Sequence, residues 1–551
     1  MRPLDWVVLA VWLVFLVSYG LYRGRGSDST NQFLLAGKTM PWYAMGLSIM
    51  ATQASAVTFI STTAQAYVDG MRFVQFYFGL PLAMVILSAT AVPIFHRANV
   101  YTAYEYLEKR FDAKTRLLVT VIFLISRGLG AGISLSAPAI VLSVVLGWPY
   151  QVTVLLMGGL VAVYTTMGGI KAVTWADVQQ MTVILFALVL SFGVAISLLP
   201  PDVSFRDALT LAGAAGRLNA VTTAFDWNDR YNIWTGLIGG MFLALAYFGT
   251  DQSQVQRYLT GKSIGQSRLG LLFNAMAKVP MQFFILFIGA MVFVVFLFEK
   301  QPVLFNPVQM ERVSQSAEFP ALSQRYDAAF AARQTAARAV LRGAAEAKEQ
   351  FRSAQRDLDG VRTEAQKLAG GNDTNYIFLS FVTRYLPIGI VGLVVGVIFT
   401  AAMSAISGEI NSLATVSVID VYKRYTAKDR SDGHYLGASR VATGFWAVYA
   451  VVFASFTSNF GALIEAVNYV GSLFYGGMLG VFVLAFFVKR CTANAAFIGV
   501  IAGEIAILIT AQFTGAYLWF NVIGCLVVVA VGWTLSAGGR GNNLPALGVS
   551  S

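Results

Sequence analysis

Long apolar segments separated by short polar loops run along almost the whole chain. A helix needs about 20 apolar residues to cross the hydrocarbon core of a bilayer, and about thirteen segments reach that length. The first, residues 5–22, has no small-residue cleavage site, so we interpret it as a retained helix rather than a signal peptide. The pattern predicts an all-α membrane protein with about thirteen transmembrane helices.

Two groups of five apolar segments stand out within this series, at residues 40–199 and 231–488. Because each group crosses the membrane an odd number of times, the two groups enter it from opposite sides, which is the topology of an inverted repeat. Such repeats place a substrate site near the bilayer midplane, where helices are broken. Residues 1–39 form an N-terminal accessory helix and loop, 200–230 an external loop, and 489–551 accessory helices and a cytoplasmic tail.

One loop, residues 301–375, is far longer and more polar than the others. Its central part, 321–368, is rich in Ala, Arg, Glu, Gln and Lys, which are strong helix formers. We therefore predict a helix or helical hairpin that projects outside the membrane. This insertion is either a solvated spacer or an arm that docks a protein partner.

Composition supports the membrane assignment, because 57% of the residues are hydrophobic and only 12% are charged, against about 25% charged in soluble domains. The net charge is +11, and the basic residues concentrate in alternate loops. The positive-inside rule then predicts a multi-pass protein of the plasma (inner) membrane with its N-terminus outside and its C-terminus in the cytoplasm. The charge needs no nucleic-acid partner. The sequence has no GxxxxGK[ST] motif, which argues against ATP-driven transport.

A polar stripe runs through the apolar segment that follows Pro387. Its members are spaced by four, three, four and four residues, so on a helix they share one face. They are Thr400, Ser404, Ser407, Asn411 and Thr415. A hydroxyl row is disfavoured against lipid, so the stripe faces protein or a polar cavity. It is either a cation site or a seam of small residues packed against a neighbouring helix.

The first helix of the first group contains a run of small and polar residues over 46–59. Thr52, Gln53, Ser55 and Thr58 compete with backbone hydrogen bonding, so we expect the helix to unwind here. Unwound carbonyl oxygens are then available to a cation.

Four charged residues lie deep in apolar segments: Arg127, Lys278, Glu409 and Glu504. An ionised side chain at the bilayer centre costs about 2.5–3.5 kcal/mol on insertion scales, so each should face protein or water. Arg127 or Lys278 would suit an anionic substrate, and the alternative for each is an internal ion pair, for example with Glu409. Glu504 lies in an accessory helix, where a packing or interface role is expected.

Several stretches match a known family in family order. They are residues 33–38 with Pro41 and Trp42, residues 102–111, the loop 168–177, residues 256–259, and residues 411–424. On these stretches the chain resembles the sodium:solute symporter family, which includes bacterial proline, sialic-acid and sugar carriers. The resemblance implies a five-plus-five inverted-repeat (LeuT-like) core that works by alternating access.

The resemblance also implies sodium ligands. The family's common sodium site matches Ala51 and Ala54 on the broken helix, then Ala401, Ser404 and Ala405, and the family usually has Ser or Thr where this chain has Ala405.

Some members bind a second sodium ion nearby. The matching residues here are Asp177, Ser404 and Ser407, with Gly408 at the last hydroxyl position. Hard oxygen ligands suit sodium, so both positions are predicted metal sites, and which of the two holds the ion is open.

The positions that bind sugar in sugar-transporting relatives have lost most of their hydrogen-bonding groups here. They match Thr58, Phe76, Tyr77, Leu80, Ala244 and Val467. Lys278 and Tyr247 match the family's cavity lysine and aromatic gate, and the remaining polar candidates are Gln53, Thr58, Gln75, Tyr77 and Asn468. This lining favours a small organic anion or an amino acid over a sugar.

We therefore predict a secondary active symporter, not an enzyme, that uses the inward sodium gradient to drive uptake of a small organic solute. Sodium is the coupling ion. Two alternatives stay open: a proton-coupled carrier, given Ala405 and Gly408, and a membrane solute sensor without net transport.

Overall fold

The computed structural model describes residues 1–24, 36–53, 56–167, 170–457 and 462–537. The helices of the N-terminal part are α1 (Pro3–Gly24), α2 (Trp42–Gln53), α3 (Ala56–Asp69), α4 (Leu80–Ala89), α5 (Ala91–Ala98), α6 (Ala103–Arg110), α7 (Ala113–Leu146), α8 (Tyr150–Met167), α9 (Ile170–Ser197) and α10 (Phe205–Ala214). A 3₁₀ helix, Met71–Tyr77, precedes α4.

The helices of the C-terminal part follow the external loop. They are α11 (Gly240–Thr250), α12 (Gln252–Leu259), α13 (Ile264–Phe298), α14 (Pro307–Ser314), α15 (Phe319–Leu341), α16 (Ala347–Ala369), α17 (Ile377–Tyr385), α18 (Ile390–Val416), α19 (Asp432–Ala454), α20 (Leu463–Phe487), α21 (Ala493–Phe513) and α22 (Leu518–Ala537). Short π-helical segments, Thr235–Gly239 and Ser417–Thr426, precede α11 and extend α18.

Within the described ranges, nine helices are long and apolar enough to cross a membrane, or ten when α2 and α3 count as one bent span. Three shorter apolar helices, Pro3–Phe15, Tyr150–Ala162 and Thr235–Thr250, lie at the positions of three further predicted segments. The all-α membrane architecture is confirmed, whereas the number of thirteen crossings and the exact domain limits stay predictions.

The predicted break in the first helix of the first group is present. Helix α2 ends at Gln53, and α3 is inclined to it by 54°. The Thr58 hydroxyl donates to the Gln53 carbonyl oxygen at 2.8 Å, so one polar side chain bridges the interruption. Ala54 lies outside the described residues.

A second break, which the sequence analysis missed, interrupts the first helix of the second group. Asp251 separates α11 from α12 with an extended backbone (φ −79°, ψ 120°), and its carboxylate accepts from the Ser253 amide at 2.9 Å. An Asp that caps a new helix start accounts for the interruption. Both groups therefore begin with a broken helix.

Helix α13 packs closely against both halves of the first broken helix. A Cβ on Gly289 would approach the Thr63 carbonyl oxygen to 2.2 Å, and one on Gly46 would approach the Phe273 ring to 2.7 Å. Only glycine permits these approaches. Lys278 lies between Phe273 and Gly289 on α13, and the break between α2 and α3 lies between Gly46 and Thr63 on the facing helix.

The insertion forms the predicted helical hairpin, α15 and α16, with a small apolar core of its own around Tyr326 and Leu358. It does not stand free, because it packs against α10 and α13. The buried Arg333 guanidinium donates to the Phe296 carbonyl oxygen at 2.6 Å, at the end of α13. A buried ion pair between Arg362 and Asp373 (3.0 Å) closes the base of the hairpin.

Candidate functional site

A cavity of about 70 Å³ lies between the two broken helices, and we call it the central cavity. Its walls come from α2, α3, the 3₁₀ helix, α7, α11, α18 and α20. The lining residues are Thr52, Gln53, Val57, Thr58, Phe76, Tyr77, Arg127, Ser134, Leu243, Tyr247, Glu409, Ile464, Val467, Asn468 and Tyr475. Five of the seven predicted substrate residues are among them: Gln53, Thr58, Tyr77, Tyr247 and Asn468. Ligand pockets usually enclose about 300–1,000 Å³, so the walls must move apart to admit a solute.

Arg127 forms a buried ion cluster at the wall of the central cavity. Its Nη1 donates to Glu409 Oε1 at 3.1 Å, and its Nη2 donates to the Asp251 carboxylate and, at 2.9 Å, to the Tyr475 hydroxyl. The Tyr475 hydroxyl in turn donates to Asp251 at 3.3 Å. Of the two roles predicted for Arg127, the structure therefore contains the internal ion pair, and it adds Asp251 as a second carboxylate. The cluster joins three helices, α7, α18 and α20, to the second break.

Some polar atoms at the cavity keep open hydrogen-bonding positions within the described part of the protein. They are Glu409 Oε2, Arg127 Nε and Gln53 Oε1. A buried polar group without a partner costs about 1–3 kcal/mol, so such atoms mark the place where a solute or water binds. The Asn468 amide nitrogen already donates to the Ile464 carbonyl oxygen at 2.7 Å, and Gln254 donates to the Tyr247 hydroxyl at 2.7 Å.

Lys278, another predicted substrate residue, is fully buried on α13 but does not line the central cavity. Its ammonium lies 5.5 Å from the centre of the ring of Tyr77, which is a residue of the cavity lining. Nζ has no hydrogen-bond partner among the described residues. The same is true of the side chains of Asn274 and Gln282, one turn away on either side.

Gln75 is also outside the lining of the central cavity. Its Nε2 donates to the Tyr231 carbonyl oxygen at 2.7 Å, and its Oε1 accepts from the Thr222 amide at 3.0 Å. Thr222 belongs to the external loop and Tyr231 follows its last residue, so Gln75 anchors that loop in this structure.

Asp177 is the centre of a second buried cluster, formed by α2, α9, α12 and α18. Ser404 Oγ donates to one carboxylate oxygen at 2.7 Å. The other oxygen accepts from Ser48 Oγ at 2.6 Å and from Arg257 Nη1 at 2.7 Å. The structure thus brings together Asp177 and Ser404 of the second predicted sodium site.

Ser48 and Arg257 are additions to that site that the sequence analysis did not identify. A Cβ on Gly408 would meet Arg257 Nη2 at 3.0 Å, so the guanidinium lies beside the position where a hydroxyl is missing. Arg257 lies in one of the family-matching stretches, residues 256–259, and only the fold shows that it is buried beside Asp177. Helix α9 also begins at Ile170, which places Asp177 two turns inside it.

The other predicted sodium ligands lie on facing helices. Ala51 is buried near the end of α2, and Ala401 and Ser407 are buried on α18, which packs against α2. The first member of the polar stripe behaves differently. Thr400 Oγ1 donates to the Gly396 carbonyl oxygen at 3.0 Å and accepts from Trp12 Nε1 at 3.3 Å. That end of the stripe is a packing seam.

The sequence matches the model of the sodium:solute symporter family over residues 33–323 and 363–503. These ranges cover most of the chain, and the chain belongs to this family. The gap between the two matched ranges, residues 324–362, contains most of the hairpin.

Similar proteins of known function are transporters. The sodium/sialic acid symporter NanT of Aliivibrio fischeri is 27% identical over 98% of this chain and 94% of its own length. The sodium/glucose cotransporter of Vibrio parahaemolyticus is 26% identical over 91% and 83%. The human sodium-coupled monocarboxylate transporter 1 is 29% identical over 91% and 72%.

The fold is similar to a solved structure of a Na⁺-coupled sialic acid symporter in a substrate-bound, outward-open state. The TM-score is 0.75 at 25% identity, over 98% of this chain and all of the other. The predicted class, an all-α membrane protein with a five-plus-five LeuT-like core, is thereby confirmed. The protein is a sodium-coupled symporter of a small solute and not an enzyme, with sodium as the coupling ion.

Proposed function

We propose that this symporter carries a small amino acid, that is, a solute with a carboxylate and an ammonium group. The observation that carries the proposal is that Arg127 and Glu409 line the same cavity and each keeps an open hydrogen-bonding position. A zwitterion offers one group of each charge to this wall. Several neutral polar side chains of the lining already donate hydrogen bonds within the protein, which argues against a sugar with many hydroxyls; they are Thr52, Thr58, Asn468 and Tyr475.

The charge balance of the cluster supports an ammonium group. With all three groups ionised, Arg127 faces two carboxylates, Asp251 and Glu409, so the cluster carries one excess negative charge. A solute ammonium at Glu409 Oε2 balances that charge, and opposite charges attract strongly in a dry, low-dielectric site. A solute that has a carboxylate and no ammonium group is repelled by the same excess negative charge.

A set of three related solutes tests this directly: alanine, propionate, which lacks the ammonium, and ethylamine, which lacks the carboxylate. Purified protein in vesicles with an inward sodium gradient should accumulate alanine and neither of the others. In Glu409→Gln, we expect alanine uptake to fall by about tenfold or more, because a hydrogen bond to a charged group contributes about 1.5–3 kcal/mol.

Glu504→Gln is the matched control, since it makes the same chemical change in α21, away from the cavity. Accumulation of propionate in preference to alanine contradicts the amino-acid proposal. Equal loss of alanine uptake in both variants contradicts the role of Glu409.

A monocarboxylate is the second candidate, and the buried Lys278 favours it. An ammonium without an ion-pair partner is costly to bury, and a solute carboxylate that reaches past Tyr77 would pair with it. Under this alternative, propionate accumulates in the parent protein and Lys278→Met abolishes that uptake, while Glu409→Gln leaves it intact.

We infer that sodium binds where α18 faces the broken helix, with Ser404 as the shared ligand of two neighbouring positions. One uses the Ala51 and Ala54 carbonyl oxygens with Ala401 and Ser404. The other uses Asp177, Ser404 and Ser407. The buried Asp177–Ser404 contact of 2.7 Å supports the second position, in which Arg257 must yield or share the carboxylate.

Asp177→Asn separates the two positions. If Asp177→Asn loses sodium-driven uptake and a very high sodium concentration restores it, the ion binds at the Asp177 cluster. Unchanged sodium dependence assigns it to the alanine carbonyl site. Uptake driven by an acid outside in the absence of sodium would instead support proton coupling, and sodium-dependent solute binding without accumulation would support a sensor.

We further propose that the protein lies in the plasma membrane with its N-terminus and the 301–375 insertion outside and its C-terminus in the cytoplasm. The alternation of basic loops supports this orientation. The test uses two variants, Lys348→Cys and Lys489→Cys, which are treated in intact cells with a thiol reagent that does not cross the membrane. We expect the cysteine at position 348 to react and the one at position 489 not to react. A protein partner for the insertion also stays a proposal.

A further inference from the structure

A second cavity, of about 770 Å³, opens on the outer surface of the helical bundle between α19 and the π-helical extension of α18. We call it the α19 groove. Most of its lining is apolar or small. Its principal walls are Val418, Tyr422, His434, Gly437, Val441 and Phe445.

The helix that forms one wall faces outward along most of its length. Val441, Phe445 and Val448 are 76%, 62% and 65% exposed, and Gly433–Ala454 is long and apolar enough to cross the membrane. In a bilayer this surface contacts lipid chains. The groove is therefore an indentation in the lipid-facing side of the protein.

One end of the groove is polar. The Tyr422 hydroxyl and His434 Nε2 are 3.1 Å apart, and their rings stack with centroids 5.9 Å apart. Lys423 follows Tyr422 in the chain, and its ammonium lies 4.8 Å from the centre of the Tyr435 ring, which in turn lies 5.9 Å from the His434 ring. A hydrogen-bonding pair and a lysine thus stand at the mouth of an apolar channel.

The connection that surrounds the mouth is strongly basic. Residues 423–440 contain five Lys or Arg and two Asp. Four of the basic side chains are exposed and take part in no ion pair among the described residues: Lys423, Lys428, Arg430 and Arg440. Basic clusters next to a membrane helix attract anionic lipid headgroups.

We propose that the α19 groove binds an anionic phospholipid, with an acyl chain along Gly437, Val441 and Phe445. The phosphate then lies at the mouth, within reach of His434 and Lys423. An apolar channel that ends in a hydrogen-bonding pair and unpaired cations matches the two parts of such a lipid.

A second copy of the chain is the competing occupant, because Gly433 and Gly437 have the spacing of a helix-packing motif. Charge argues against it. Two copies in one membrane have the same orientation, so a symmetric contact through α19 brings two basic mouths together, and like charges across an interface are unfavourable.

The test is native mass spectrometry of protein extracted from vesicles of equal parts phosphatidylglycerol and phosphatidylcholine. We expect one phosphatidylglycerol to be retained preferentially. Lys423→Gln should weaken its retention about fivefold, the effect of one basic side chain at an anionic surface, and Lys489→Gln, in another loop, should not. Val441→Trp, which fills the groove, should remove the retained lipid.

Val448→Trp is the matched control for bulk, since Val448 is exposed on the same helix and outside the groove. Equal retention of phosphatidylglycerol in the two tryptophan variants overturns the proposal. So does equal retention of phosphatidylglycerol and phosphatidylcholine by the parent protein. A dimer mass that disappears in Val441→Trp assigns the groove to a second copy instead.

Discussion

The ion network around Arg362 at the base of the external hairpin and the ion cluster around Arg127 at the central cavity both bury an arginine, but only the second leaves charged groups with unpartnered atoms among the described residues. In the hairpin, Arg362 Nη2 donates to both oxygens of Asp373 (3.1 and 3.0 Å), and its Nε donates to the Val303 carbonyl oxygen at 3.1 Å. Asp373 also accepts from the Phe305 amide at 2.6 Å. This network is closed, so it serves to hold the hairpin's base.

The cluster around Arg127 is open by contrast. Glu409 Oε2 and Arg127 Nε have no partner among the described residues, although both groups are buried. A partly satisfied polar network is costly in a low-dielectric interior. Of these two networks, the closed one holds two parts of the insertion together, and the open one lies at the cavity wall, where another molecule can complete its hydrogen bonds.

Arg127→Gln should have the largest effect, because it leaves Asp251 and Glu409 buried together without their cation. Breaking a buried pair costs about 3–5 kcal/mol. We expect solute uptake, normalised to membrane-inserted protein, to fall by about a hundredfold or more, as about 3 kcal/mol implies. Ser134→Ala, a lesser change in the same cavity wall, is the control. If Arg127→Gln takes up solute at a rate close to that of the parent protein, the open network has no role in transport.

Ser404→Ala comes next, because it removes a ligand shared by both proposed sodium positions. The sodium concentration for half-maximal uptake should rise about tenfold or more, since a hydrogen bond to a charged group contributes about 1.5–3 kcal/mol. Thr400→Val is the matched control, because the Thr400 hydroxyl bonds Gly396 and Trp12 instead. An unchanged sodium dependence in Ser404→Ala contradicts the site.

Arg257→Gln should act in the opposite direction on sodium binding. The guanidinium is the cation that already neutralises Asp177, so its removal frees the carboxylate for sodium. We expect tighter sodium binding, by about tenfold at most, in a thermal-shift titration with sodium, since competition for one charged hydrogen bond amounts to about 1.5 kcal/mol. Weaker sodium binding would mean that Arg257 supports the ion site rather than competing with it.

Arg362→Met tests the closed network and should have the smallest effect on transport. It strands the Asp373 carboxylate, so we expect a lower melting temperature and an unchanged rate of uptake per folded molecule. Adding Asp373→Asn should restore part of the stability, because the uncompensated charge is then gone. Arg325→Met is the control, since its ion pair with Glu364 is exposed and such pairs contribute little. A transport defect in Arg362→Met that is absent from the control Arg325→Met would link the hairpin to the transport cycle.

The sequence was sufficient for features that depend on local pattern. Apolar segments predicted the membrane helices, the run around Gln53 predicted the first break, and helix-forming residues predicted the hairpin. The depth of Arg127 and Glu409 in apolar segments correctly limited their surroundings to protein or water, because the cost of lipid exposure is set by each residue alone.

Features that depend on distant partners were not predictable in the same way. Asp251 follows an ordinary apolar helix, and only the fold brings it to Arg127, 124 residues earlier. Ser48 and Arg257 reach Asp177 from two other helices. The inverted repeat itself was the available signal for Asp251, because a break in one group implies a break at the equivalent position of the other.

The Arg257–Asp177 contact has an electrical consequence. When sodium is absent, the carboxylate is paired with a side chain of the protein, so this position holds no net charge as the empty carrier reorients. A charge that crosses the membrane field gains about 2.3 kcal/mol per 100 mV. Transient currents recorded in sodium-free solution should therefore be larger in Arg257→Gln than in the parent protein, because the Asp177 carboxylate then has no cation beside it.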